Sequence, residues 1–178
     1  MGENGLAIRA ARLDELAALT DLMNLAIGEL LKPYLDAAEV ASSRAIMGLD
    51  TQLVKDGTYF VVEQDDSLAG CGGWSRRATM YGGDVSPGRD PALLDPARDA
   101  ARVRAMYTHP AFVRRGVGRM ILAACEAAAR TEGFRRAELV ATMAGFPLYS
   151  ACGYEVVERF SDDRGGAPVP LALMAKAL

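Results

Sequence analysis

Between residues 102 and 132 the chain reads as a strand (102–108), a short polar turn, and a helix whose start holds two glycines and three arginines. A strand followed at once by a helix of this length predicts that the next strand lies parallel to the first, with the helix as its crossover. The helix start also presents unpaired backbone N–H groups and the positive end of the helix dipole. Gly116 and Gly118 lack side chains, so a phosphate can come close to the backbone. Arg114, Arg115 and Arg119 add cationic charge around the same point. Elementary physics therefore points to a phosphorylated ligand. The plainer alternative is a helix start that uses glycine for its turn and arginine for solubility.

Two common phosphate loops are absent. A P-loop needs Gly-Lys followed by Ser or Thr, and here Gly118 precedes Arg119 and Met120; the dinucleotide fingerprint needs a third glycine where Ile121 stands. The segment His109-Pro-Ala-Phe-Val-Arg-Arg-Gly-Val-Gly-Arg119 instead resembles the acetyl-CoA loop of the GNAT acyltransferase superfamily, Gln/Arg-x-x-Gly-x-Gly/Ala. A second segment, Ala144-Gly-Phe-Pro-Leu-Tyr-Ser-Ala-Cys-Gly-Tyr154, resembles the same family's Ala…Leu-Tyr…Gly-Phe/Tyr stretch. The two occur in the family's order and separation, and the resemblance is tight over residues 102–160. One departure is Val113, which stands where Gln or Arg is usual and removes one polar side chain from the turn.

The remaining pattern is compatible with that family. Apolar residues Leu16, Leu19, Leu22, Met23, Ala26, Ile27 and Leu30 repeat at helical spacing over 13–31, and Lys32-Pro33 ends the helix. Asp36 with Glu39 three residues on reads as a cap for a second helix running to about 48, and Thr51 opens a short turn before Gly57. Strands are predicted over 6–10, 58–63, 68–77, 137–141, 154–160 and 169–175, and short helical structure over 145–152. Residues 78–99 form the longest irregular segment, a length associated with function. The order β-α-α-β-β-β-α-β-α-β-β predicts an α/β (α+β) fold, a mixed central sheet with helices on both faces; the resemblance implies one N-acetyltransferase domain over 1–178 with the cofactor core at about 102–160.

Composition narrows the function. A net charge of −3 argues against a general nucleic-acid binder. One histidine and three widely spaced cysteines (Cys71, Cys125, Cys152) offer no zinc site, so no metal is expected and the thiols read as free. No apolar run approaches the roughly 18 residues of a membrane span, and no basic-then-apolar leader pattern opens the chain. A cytoplasmic protein is the expectation.

The resemblance implies an acetyl-CoA-dependent acyltransferase acting on a primary amine of a small molecule or peptide, by direct attack in a ternary complex. It implies that the backbone from Arg114 through Val117 to Arg119 holds the pyrophosphate. A bulge or splay in the preceding strand would free Met106, Tyr107 and Thr108 for the pantetheine arm and thioester. Thr142 stands where an Asn often touches that arm, and Tyr149 takes the place of the general acid that protonates the leaving thiolate. His109 belongs to the family's His-Pro turn, and neither Glu63 nor Glu138 is marked out as the base. The acceptor groove is expected from Glu29, Tyr34, Trp74, Arg76, Arg77, Tyr81 and the 78–99 segment, although Trp74 and Tyr81 also suit a core. A homodimer is a family habit, for which the apolar run 169–174 offers a shared strand or simply a core strand. Two other readings remain: a CoA-binding module with little or no catalysis, and an interaction domain whose arginine turn takes a phosphate or an acidic partner.

Overall fold

The computed structural model describes residues 5–178. Seven strands form one sheet in the order β1-β2-β3-β4-β5-β7-β6. They are β1 (Ala7–Ala10), β2 (Tyr59–Gln64), β3 (Ser67–Ser75), β4 (Ala101–Thr108), β5 (Arg136–Thr142), β6 (Glu155–Asp162) and β7 (Val169–Ala177). Every neighbouring pair is antiparallel except β4 and β5, which are joined as expected by a crossover helix, α4 (Val117–Thr131). The other helices are α1 (Leu16–Leu30), α2 (Ala37–Ser43), α3 (Thr51–Lys55) and α5 (Phe146–Ala151).

Both faces of the sheet are covered, because neighbouring side chains of a strand point to opposite sides. Val62 packs with Val117, Ile121 and Cys125 of α4, while Val61 packs with Leu19, Met23 and Ile27 of α1. The helical spacing of each set keeps one apolar stripe against the sheet. The mixed sheet with helices on both faces is the architecture expected from the sequence.

Two details differ from the sequence reading. The second helix stops at Ser43 rather than near 48, where Ser43 Oγ donates back to Val40 O and Ser42 Oγ donates to Ala167 O. Such hydroxyls compete with helix continuation. The turn expected at Thr51 is a short helix, α3, with Asp50 accepting from Gln52 N at its start. Of the two readings of the run 169–174, the core strand is the one found: it lies in β7, whose two edges are paired to β5 and β6.

One irregularity shapes everything that follows. Cys71 pairs with Tyr107 and Gly73 with Arg104, so Gly72 of β3 faces two residues of β4, Ala105 and Met106. This is a β-bulge, and Ala105 adopts a left-handed φ of 51°. Gly72 makes room for it: a Cβ there would lie 2.7 Å from Met106 Cγ and 2.9 Å from Ile121 Cγ2. The buried Tyr59 hydroxyl then donates to Ala105 O at 2.7 Å, tying the displaced carbonyl to β2. Tyr59→Phe is therefore expected to destabilise the protein by about 1–3 kcal/mol, since it orphans a carbonyl inside the core. Urea unfolding measures this, and an unchanged midpoint would show that the hydroxyl does not hold the bulge.

Candidate active site

β4 and β5 pair only at Ala101 with Ala137 and Arg102 with Glu138. Beyond these residues β5 continues along β7 as far as Thr142, and the β5-facing edge of β4 is left unpaired. A cavity of about 580 Å³ is lined by both strands where they have parted. It runs from the turn before α4 to α1 and the 78–99 segment.

The first end of the cavity is the turn. Arg114 and Gly116 both have positive φ, 63° and 88°. The N–H groups of Arg114, Arg115 and Gly116 donate to no backbone carbonyl among the described residues. Successive N–H groups in such conformations form an anion-binding concavity, and the unpaired first turn of α4 continues it. A Cβ on Gly116 would meet nothing within 4 Å, so space is open beside the backbone at that point. Gly118 has a different reason to be glycine: a Cβ there would lie 2.7 Å from Leu148 Cδ2, so its absence lets α4 close on α5. Arg114 and Arg119 line the cavity, as does Val113. Arg115 does not; its Nη2 donates to Gln64 Oε1 at 2.6 Å and its guanidinium lies over the Phe112 ring. His109 is also outside the wall, where its Nδ1 accepts from Ala111 N as the cap of a short 3₁₀ turn.

The middle of the cavity is made by the bulge. Met106, Tyr107 and Thr108 line it from β4, and Thr142 from β5. The Tyr107 hydroxyl accepts from Gly48 N at 2.8 Å, linking β4 to the segment after α2. Burial raises the pKa of this phenol, while the Gly48 bond opposes the rise. Tyr149 enters from α5, largely buried, with its ring edge-on to Tyr154. Its hydroxyl has no hydrogen-bond partner among the described residues, and burial holds its pKa above the ordinary 10.0.

The far end is formed by Ile27, Leu30 and Tyr34 around α1, by Met47 and Gly48, and by Met80, Tyr81 and Gly82. The 78–99 segment is irregular but anchored. Tyr81 Oη donates to Asp162 Oδ2 at 2.7 Å, and Arg164 bonds both that carboxylate and Pro87 O. The Arg164 hydrogen bond brings the Asp162 pKa down to about 2.

Several residues expected near the acceptor lie elsewhere. Trp74 takes the core place that its sequence also suited, edge-on to Phe134 at 5.9 Å between ring centroids. Arg76 lies over the Trp74 ring and pairs with Glu132, Arg77 pairs with Asp56, and Glu29 pairs with Lys32 on the surface of α1. Trp74, Arg76 and Arg77 are drawn off by partners that only the tertiary structure supplies, whereas Glu29 is taken by a neighbour three residues on. Glu63 and Glu138 pair with Arg9 and Arg102. Tyr34 and Tyr81 do line the cavity.

Among the wall residues missed, one is charged. Arg104 is 5% exposed, contacts Asp50 and donates to Gly82 O. The signal was present: an arginine two residues after another in a strand otherwise destined for the core. With Arg114 and Arg119 it makes the wall cationic, and no Asp, Glu or His lines the cavity among the described residues. Such a wall suits an anionic ligand.

Known proteins carry the same architecture. The GCN5-related N-acetyltransferase of Rhodopseudomonas palustris superposes with a TM-score of 0.70 at 17% identity, over 97% of this chain and 95% of that one. PaiA N-acetyltransferase of Thermoplasma acidophilum, in complex with coenzyme A, gives 0.66 at 13% identity, over 97% and 99%. The yncA protein of Salmonella typhimurium, with its cofactor acetyl-CoA, gives 0.65 at 19% identity, over 98% and 95%. These likenesses are of fold. A comparison with curated proteins finds no match. The model of the acetyltransferase (GNAT) domain matches residues 55–156, which include the bulge, the arginine turn and Tyr149. By fold and by this match over more than half of its length, the chain belongs to the GNAT acetyltransferase family.

Proposed function

We propose that this protein transfers an acetyl group from acetyl-CoA to a primary amine of a small molecule or peptide, by direct attack in a ternary complex. One observation carries the reading. A single cavity joins the N–H-rich turn at α4, the bulged edge of β4 and Tyr149, and then continues to a separate apolar end. That arrangement accommodates two molecules meeting at one point, which a lone phosphate site does not require.

The residues fit the co-substrate. The backbone of Arg114, Arg115, Gly116, Val117, Gly118 and Arg119 receives the pyrophosphate, with the Arg114 and Arg119 side chains adding charge and Arg115 contributing backbone only. The free edge of β4 at Met106, Tyr107 and Thr108, with Thr142 opposite, aligns the pantetheine arm. A backbone N–H of the bulge polarises the thioester carbonyl. The amine nitrogen forms its bond to the acyl carbon as the C–S bond breaks. Tyr149 acts as the acid by hydrogen-bonding the leaving sulfur as charge develops, and the proton lost by the amine, carried through water in the cavity, balances the step. No carboxylate lines the acceptor end among the described residues, so an acceptor with an apolar body is favoured over a polycationic amine. The reaction is placed in the cytoplasm, with 1–178 acting as one catalytic domain.

The experiment is a calorimetric titration with acetyl-CoA, with desulfo-CoA and ATP as controls. Saturable acetyl-CoA binding with ATP much weaker is the expected outcome. The absence of binding below millimolar concentration would reject the cofactor assignment and hand the turn to an acidic partner.

A further inference from the structure

A second cavity, of about 160 Å³, shares Arg104 with the first. Its polar wall consists of Gln52, Ser75, Arg77, Thr79, Arg89 and Arg104. Three guanidinium groups in one small wall require compensation, and the compensation is incomplete. Arg77 Nε donates to Asp56 Oδ2 at 2.7 Å, and Arg89 Nη2 donates to Asp50 Oδ1 at 2.8 Å. Arg104 Nη1 lies 2.6 Å from Asp50 Oδ2, out of line for a hydrogen bond. Asp50 is thus shared by two arginines, and three cations face two carboxylates. Neither carboxylate lines the cavity. Asp90, beside Arg89, turns its carboxylate to Ala92 N and is also outside the wall.

A second observation is independent of the charge count. Arg104 Nε is buried and has no hydrogen-bond partner. Ser75, 1% exposed, accepts from Arg77 N at 3.0 Å, but its hydroxyl proton goes to no partner among the described residues. Buried donors left unmatched cost free energy, more so on a charged group. Water can satisfy such donors but does not offset the charge of Arg104, the one guanidinium of the three that is buried and poorly screened. An anion satisfies both.

We propose that the second cavity binds one small monovalent anion, a halide or a small carboxylate, through Arg104 Nε, the Ser75 hydroxyl and the remaining N–H groups of Arg77 and Arg89. Occupancy orients Arg104, which also forms part of the wall of the larger cavity and holds Gly82 O there. The anion therefore stiffens the acceptor end without touching the acceptor. It also clamps the 78–99 segment, because Arg77 Nη1 holds Pro91 O and Arg89 Nη1 holds Gly83 O.

Thermal unfolding of the full chain tests this in chloride, and separately in acetate, at constant ionic strength made up with bulky gluconate. A saturable rise in Tm is expected, roughly 3–6 °C at ten times the dissociation constant. The more stabilising of the two salts identifies the source of the anion. Arg89→Gln is expected to remove the saturable component, and Ser75→Ala to weaken it. Identical curves in all three salts, or a full response in Arg89→Gln, would overturn the proposal. If a variant fails to fold, anomalous scattering from crystals of the unaltered protein grown in bromide decides the question. A peak within hydrogen-bonding distance of Arg104 Nε is expected, and a cavity holding water alone refutes the site.

Discussion

Tyr149→Phe is expected to lower acetyl transfer by roughly 10²–10⁴-fold while acetyl-CoA affinity barely changes. The substitution is well isolated. The ring stays edge-on to Tyr154, and the lost hydroxyl leaves no protein group unpaired because it has no partner among the described residues. Folding stability should therefore hold, and steady-state turnover can be compared with calorimetric affinity in one preparation. The pH dependence follows from burial. Burial raises the phenol above its ordinary value of 10.0, so the group stays protonated from neutrality through pH 9. No loss of activity in that range should trace to Tyr149. The phenol is a weaker acid than a thiol of pKa ~8.5, so complete transfer to a free thiolate is uphill by about 1.4 kcal/mol per pKa unit. The hydroxyl therefore acts by hydrogen-bonding the charge as the C–S bond opens, and the proton released by the amine balances the step. An unchanged turnover number would remove the acid role.

Gly116→Glu is expected to abolish saturable acetyl-CoA binding. The new carboxylate would enter open space beside N–H groups assigned to a pyrophosphate, where each like-charge pair costs about 4 kcal/mol at 4 Å in a surface-like dielectric. Even partial screening leaves a loss of 10²-fold or more, since about 1.4 kcal/mol is a factor of ten. Backbone strain must be separated from charge, because Gly116 has a φ of 88° and a side chain there costs roughly 1–2 kcal/mol. Gly116→Asn provides the control, as Asn tolerates the left-handed region and carries no charge. It should lose a little stability and keep most of the affinity. Retained binding in the Glu variant would show that the turn does not hold the cofactor.

The family, the order of elements and one end of the site were legible in the chain because their signals are local. A glycine-and-arginine helix start needs only adjacent residues, and an apolar stripe needs only residues three or four apart. The short motif around Tyr149 singled it out for the same reason, and Tyr149 does line the cavity. The acceptor end was not. Trp74 and Tyr81 carry similar sequence signals, yet Trp74 went to the core against Phe134, 60 residues away, and Tyr81 went to the cavity through Asp162, 81 residues away. Arg115 sits among the turn arginines in sequence but is diverted by Gln64, 51 residues distant.

The bulge marks the boundary between the two kinds of information. Nothing in Arg102-Val-Arg-Ala-Met-Tyr-Thr108 distinguishes it from a regular strand. Its displacement depends on a glycine in β3 leaving room opposite, and on a hydroxyl from β2 capturing Ala105 O. By itself the sequence determined the elements, their order and the glycine-and-arginine turn, because backbone preference and periodicity act over a few residues. Only the tertiary structure decided where β4 leaves β5, which side chains line the resulting cavity, and how Arg104 comes to face two cavities. Those outcomes depend on packing and hydrogen bonds between segments remote in the chain, and only the folded sheet brings those segments together.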